Sequence, residues 1–361
     1  MPSSFKHTAI KVLKITGITI AVILFLLFII PLLFPGKIAS EVKKIANERL
    51  DTKLEFTKSK LSFFTHFPSL TVSLDDLSLT GSKPFSNDTL LKADQVAFGI
   101  DIKRLLFDNE VKINKLYVSD ALINVMVNEK GQANYNIYVA PEDRNKKEDP
   151  NAPEEGTAIR LERIDLQNCH VKYNDRSAKI LVDAKGFNYI GKGNLSEDIF
   201  DLATDAKIDN LDFYYDRTGY LRRKKVSADL ITRINTHALT FILQKNELHI
   251  NKLPLKFTGL FTILREGYKI NIKAASENTT VKDLLSVMPP EYLTWLEKTE
   301  ISGRSNLLLT FKGDYNVSKK QKPNLAFNLK INEGSVNYKN APVPLTDFQM
   351  DLNAMLPSLD T

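Results

Sequence analysis

From about residue 54 onward the chain alternates apolar and polar positions with a period of two. Val96, Phe98, Ile100 and Ile102 carry the apolar phase of VAFGIDI, Tyr268, Ile270 and Ile272 that of YKINIKA, and Leu325, Phe327, Leu329 and Ile331 that of LAFNLKI. Such alternation gives each segment one apolar face and predicts β-strands. Turn-forming residues separate the strands at 128–132 (NEKGQ), 215–220 (YDRTGY) and 265–268 (REGY), as in an antiparallel meander of hairpins.

The alternation breaks in a regular way. In VKINKLYV, Val111 and Ile113 share one phase, the polar pair Asn114 and Lys115 interrupts it, and Leu116 and Val118 resume on the other. The same spacing places Val72, Leu74, Leu77 and Leu79 in VSLDDLSL, Ile159, Leu161, Ile164 and Leu166 in IRLERIDL, and Leu248, Ile250, Leu253 and Leu255 in LHINKLPL. It recurs in VPLTDFQM (Val343, Leu345, Phe348, Met350) and more weakly in AKIDNLDF (Ala206, Ile208, Leu211, Phe213). The starts at 72, 111, 159, 206 and 248 fall about 40 to 48 residues apart, a period of the kind repeat architectures use. A helix cannot hold this pattern, because at about 100° per residue the four apolar positions scatter around the axis. A strand with one extra residue can: a β-bulge absorbs it, restores the phase and bends the strand. The fold class expected is therefore mainly β, a long, curved, bulged antiparallel sheet, kinked about once per two or three hairpins.

Other periodicities mark the ends and one insertion. Residues 15–36, ITGITIAVILFLLFIIPLLFPG, carry no charge and match the roughly 20 residues that cross a bilayer core. A cleaved signal peptide is the rival, since Lys6, Lys11 and Lys14 precede the run, but the run is longer than a usual signal core and no A-x-A site follows it. The expectation is an uncleaved anchor at 15–36, a cytoplasmic N-terminus at 1–14 and an amphipathic helix at 37–50. A first β region then runs over 51–139, a charged, proline-punctuated linker or loop over 140–158, and a continuing β region over 159–361. A helical insertion is expected near 281–298, broken by Pro289 and Pro290.

Composition narrows the function classes. With 43% hydrophobic and 25% charged residues the chain has material for a sizeable core. Its net charge of +6 is spread over 49 basic and 43 acidic residues, unlike the clustered surplus of a nucleic-acid binder. A single cysteine, Cys169, excludes an intramolecular disulfide or a multi-thiolate metal site. GFNYIGKG (186–193) has the G-x-x-x-x-G-K spacing, but Gly193 stands where Ser or Thr would hold magnesium and the setting is strand-rich. His7, His66, His170, His237 and His249 form no metal-ligand spacing, and Asp75 and Asp76 occupy the polar pair of the repeat. RRKK (222–225) reads as a solvated hairpin, with phosphate or headgroup contact as the alternative. No enzymatic chemistry, cofactor or metal is expected.

A one-faced apolar sheet needs cover, either a second sheet or closed barrel, or an apolar ligand on an open curved surface. Both remain open from periodicity. FPSLTVSLDDLSL, VAFGIDIKRLL, VKINKLYVSDALINV and the Gly131, Asn134, Tyr135 turn together resemble the N-terminal region of the AsmA-like family of bacterial envelope proteins, over about residues 10 to 138. KPNLAFNLKINEGSVNYKNAPVPLTDF resembles it more loosely. The resemblance implies a protein related to TamB and the chorein-type bridge proteins, anchored in the bacterial inner membrane by a single span, with its bulk in the periplasm. It further implies a β-groove carrying phospholipid toward the outer membrane, with membrane and phospholipids as partners. Envelope proteins are further candidate partners; nucleic acid is not. The lining expected is Val72, Leu74, Leu77, Leu79, Val111, Ile113, Leu116, Val118, Ile164, Leu166, Leu253 and Leu255. The alternative is a nonenzymatic scaffold with a closed β core that regulates outer-membrane protein assembly or protein targeting.

Overall fold

The alternating segments form strands of a single sheet. The computed structural model describes residues 50–101, 112–137, 158–264 and 267–357, except 64, 67, 68, 290, 292, 317, 318 and 320, with a few isolated positions before residue 50. The expected anchor at 15–36, the helix at 37–50, the segment 140–157 and Val111 lie wholly or largely outside these residues. Among the described residues no helix is long and apolar enough to cross a membrane.

The first strands are β1 (Leu54–Glu55), β2 (Lys58–Ser62), β3 (Leu70–Thr80), β4 (Thr89–Ile100) and β5 (Lys112–Val127). β6 (Ala158–Asp175), β7 (Ile180–Lys192), β8 (Ile199–Tyr215), β9 (Thr218–Asn235) and β10 (Thr240–Ile250) follow. β11 (Leu253–Leu264), β12 (Gly267–Thr280), β13 (Thr299–Tyr315), β14 (Asn324–Tyr338) and β15 (Leu345–Leu356) complete it. These fifteen strands make one curved, unclosed sheet in sequence order, with β1 and β2 both paired to β3. Apart from hydrogen-bonded neighbours, the elements in substantial contact are a short helix, α1 (Val281–Leu285), with β12 and β13, and a 3-10 turn (Thr294–Lys298) with β13. No second sheet packs on the first among the described residues.

Three expectations need correcting. The sheet is not antiparallel throughout, because β5 and β6 pair in parallel. A parallel neighbour requires a crossover of a dozen or more residues, and the chain between Val127 and Ala158 supplies that length. The helical insertion is smaller than 281–298: α1 ends at Leu285, since Pro289 and Pro290 each lack an N–H donor. Third, LHINKLPL is a two-residue hairpin, not a bulge. Ile250 faces Leu253 and Leu248 faces Leu255 across the turn, which also leaves all four side chains on one face.

Elsewhere the polar pairs do shift phase, and more often than once per two or three hairpins. Asn114 is unmatched between Gly99↔Lys115 and Ile100↔Ile113, Lys225 faces Asp209 and Asn210, and Ser335 faces Thr346 and Asp347. At Asp76 the pairing of β3 with β4 runs through unbroken, so an equivalent shift in β4 matches it. Left-handed backbone marks the shifts at Asp76, Asp120, Asn168, Gly186, Arg223, Asn278, Glu333 and Asp347, in eight different strands. Short polar side chains satisfy the amides this frees. Asn188 Oδ1 accepts from Asn168 N (3.0 Å), Asp212 Oδ1 from Arg223 N (2.8 Å) and Asn306 Oδ1 from Asn278 N (2.9 Å). The polar pairs of the repeat are therefore the machinery that bends the sheet.

Candidate functional site

The bends keep one face of the sheet apolar from β6 to β15. One row of cross-strand partners runs Leu202, Thr232, Leu243, Gly259, Ile272, Phe311, Leu325 and Leu356, one residue from each of β8 to β15. Beside it runs Leu230, Asn246, Phe257, Ala274, Leu309, Phe327 and Ala354. Eight strands at about 4.8 Å spacing make the first row about 34 Å long, perpendicular to the strands. Charged residues such as Lys256, Lys269, Lys273 and Lys312 alternate with these and face the other way. Among the described inner-facing positions of β6 to β15, charge occurs at Asp175 and Lys224.

One end and one margin of this face are covered. At the start of the sheet, Val72, Leu74 (1% exposed), Leu77, Leu79, Val96 and Val118 form a closed cluster, over which Leu50, Leu54, Phe56 and Ile137 pack. At one margin of β10 to β14, Val281 and Leu284 of α1 pack on Leu253, Leu255, Leu307, Leu329 and Ile331. Thr280 caps α1 by accepting from Asp283 N at 3.0 Å. The chain leaving α1 then crosses back toward β9 as a strap. Lys224 Nζ donates to the carbonyls of Ser286 (2.8 Å) and Met288 (2.7 Å), Asn251 Nδ2 donates to Ser286 O (2.7 Å), and Arg222 pairs with Glu291. Burial holds the Lys224 amino group below its ordinary pKa. Between these covers most inner residues of β8 to β14 are half-buried and those of β15 largely exposed, packed by neighbours in the sheet but, among the described residues, not by another layer.

The remaining margin is aromatic. Phe241 and Phe261 lie 6.0 Å apart between ring centroids, Phe261 and Tyr268 5.4 Å, and Tyr268 and Tyr315 6.2 Å. The Tyr268 hydroxyl of β12 lies near enough to Tyr173 of β6 to disfavour its ionisation, and the Tyr315 hydroxyl of β13 does the same to Tyr215 of β8. In a flat sheet β6 and β12 would lie about 29 Å apart, beyond the range of screened interactions. The sheet is thus curled enough to bring its two flanks together. Burial is the main cause that pushes the Tyr173, Tyr215 and Tyr268 hydroxyls above their ordinary range.

The structure distributes the expected lining unevenly. Val72, Leu74, Leu77, Leu79 and Val118 sit in the closed first cluster, with Leu116 and Leu166 packed at its edge. Leu253 (1% exposed) and Leu255 lie beneath α1, while Ile113 and Ile164 are half-buried. The open rows of β8 to β15 carry only plain alternation, with no polar pair to set them apart in the sequence. Lys224 belongs to the RRKK run, and nothing in the run separates the one buried lysine from its solvated neighbours. The G-x-x-x-x-G-K spacing lies along β7, and His66 stacks on Tyr117 at 3.7 Å. His170 meets Asp183 at 2.7 Å.

No curated protein matches this chain. The model of the AsmA family matches residues 9–230, from the N-terminal apolar run through most of β9 and well over half of the sequence. Matched over that length, and folded as one long curved and bulged sheet, the chain belongs to the AsmA family.

Proposed function

We propose that this protein is a nonenzymatic, membrane-anchored carrier of phospholipid in the bacterial envelope, holding acyl chains on the inner face of β8 to β15 while headgroups stay in water. The observation that carries this reading is the uncharged row from Leu202 to Leu356, which continues across eight strands with no layer packed on it among the described residues. An acyl chain in water loses about 0.8 kcal/mol per exposed CH₂, and a continuous apolar surface removes most of that penalty at each step of a slide. The anchor at 15–36 would hold the groove at a bilayer, and the closed first cluster would form its base. A scaffold with a closed core describes β3 to β6, but leaves the half-buried rows beyond β8 without a purpose.

The test is site-specific photocrosslinking in cells. A photoreactive residue at Leu243 or Ile272 should capture phospholipid, and one at Lys273, on the opposite face, should not. Capture of protein neighbours alone at both inner positions would sink the carrier reading.

A further inference from the structure

Among the described residues two charges face the inner side of β6 to β15, and only one is accounted for. Lys224 is tied down by the strap. Asp175, at the end of β6, is 7% exposed. It accepts from Tyr173 Oη (3.1 Å), Ser177 Oγ (2.6 Å) and Ala178 N (2.9 Å), all of them neutral donors. No ion pair to it occurs among the described residues. Buried carboxylates are ordinarily paired with a cation, because neutral hydrogen bonds offset only part of the lost hydration.

The walls around this carboxylate are aromatic. Tyr173 donates to Asp175, and the Asp175 carboxylate and the Tyr135 hydroxyl both lie near enough to Tyr173 and Tyr268 to disfavour ionisation of either ring. Tyr268 stacks in turn on Tyr315 and Phe261. Tyr215 shares a cross-strand row with Asp175 through Ile180. Ring faces attract cations, and organic cations most effectively, since they tolerate an apolar wall. A divalent metal would need several more oxygens than one carboxylate provides.

We propose that Asp175 and the tyrosines around it bind an organic ammonium group, the amine of a lipid headgroup whose acyl chains lie along the inner face. This rests on the carrier reading and adds headgroup selectivity to it. The site stands at the margin of the apolar rows: Tyr268 is followed on the same face of β12 by Ile270 and Ile272, so a headgroup at Asp175 leaves its chains over uncharged surface. The ammonium donates to Asp175 and to tyrosine oxygens, and the lipid phosphate remains toward water.

The experiment uses the full chain purified in detergent and offered an equimolar mixture of dioleoyl phosphatidylethanolamine and dioleoyl phosphatidylglycerol, with bound lipid read by mass spectrometry. The wild-type protein is expected to favour the amine lipid about fivefold or more, within the range of a cation held by aromatic faces. Asp175→Asn should bring the ratio close to one with total bound lipid unchanged. Because Asp175 also holds the Ser177–Ala178 turn, Tyr268→Leu serves as a second variant that leaves those bonds intact and should lower the ratio in the same direction. Equal binding of both lipids by wild type and variants would overturn the ammonium site and leave the carrier reading standing. Failure to bind either lipid would overturn the carrier reading and the site with it. Displacement of the amine lipid by millimolar free ethanolamine would assign the site to a soluble amine and overturn its lipid part.

Discussion

Lys224 Nζ lies 2.8 Å from the carbonyl oxygen of Ser286, so a cation on β9 holds the chain inserted between β12 and β13. That bond, with its companion to Met288, draws the strap across the margin of a face otherwise almost free of charge. Asn251 adds a neutral donor to Ser286 O and Arg222 an exposed ion pair, while α1, a single short turn, contributes little of its own. The cation supplies what helix propensity cannot.

Replacing Lys224 with Ala should therefore release the strap. Two carbonyls would lose a charged donor, with an expected local loss of about 2 to 3 kcal/mol. Hydrogen exchange is the direct measurement: amides of residues 284–288 should exchange faster while β3 to β5 remain protected. Arg222→Ala removes only an exposed pair with Glu291 and should change exchange by less than about 1 kcal/mol equivalent. Equal effects of the two substitutions would contradict the role given to Lys224.

The bends give a second prediction. Asn278 adopts φ 51° in β12 and its amide is satisfied by Asn306. A β-branched side chain resists left-handed backbone, whereas glycine accepts it. Asn278→Val should lower stability by about 2 kcal/mol and Asn278→Gly by less than about 1 kcal/mol, read from urea midpoints. A larger loss for glycine than for valine would mean that the backbone conformation is not what Asn278 provides.

How far the sequence reveals this fold depends on the residue pair in question. The polar pair in VKINKLYV announces the unmatched Asn114, because a phase change of one residue has few physical causes in a strand. The same apolar spacing in LHINKLPL comes from a hairpin, since cross-strand partners flanking a two-residue turn also share a face. Spacing alone cannot separate the two. The parallel pairing of β5 with β6 was illegible for another reason: a strand's pattern of alternation is the same whichever way its neighbour runs. Asp175 and Lys224 were hidden among ordinary surface charges, because their inward placement depends on the phase accumulated over several bends.

Acidification should act on His66 before it acts on most of the sheet. The ring stacks on Tyr117, and its pKa is held below the usual 6.5 mainly by burial, opposed by Asp165 and reinforced by Lys115 and Arg163. A histidine with a lowered folded pKa favours the neutral ring in the folded state. The stability it contributes is complete above pH 6.5 and is lost as pH falls from 6.5 through the lowered value. Titration of the His66 ring by NMR should give a midpoint below 6.5, and His66→Phe should remove this part of the pH dependence. A midpoint above 6.5 would reverse the sign and show that Asp165 dominates.

The open rows and the closed cluster make opposite predictions for similar substitutions. Leu74 is 1% exposed, packed on every side, and Leu74→Ala should destabilise the protein by about 2 to 5 kcal/mol through the cavity it leaves. Ile272 lies mid-row and half-buried, with water or ligand on its free side, so Ile272→Asp places a charge where it remains hydrated. Folding should survive with a loss of no more than about 2 kcal/mol, but an acyl chain crossing that point would have to desolvate the carboxylate or leave the surface. Bound phospholipid measured by mass spectrometry should fall about tenfold in Ile272→Asp, while a melting curve stays close to wild type. Unfolding of Ile272→Asp to the degree seen in Leu74→Ala would show that the row is an interior, and the carrier mechanism would lose its surface.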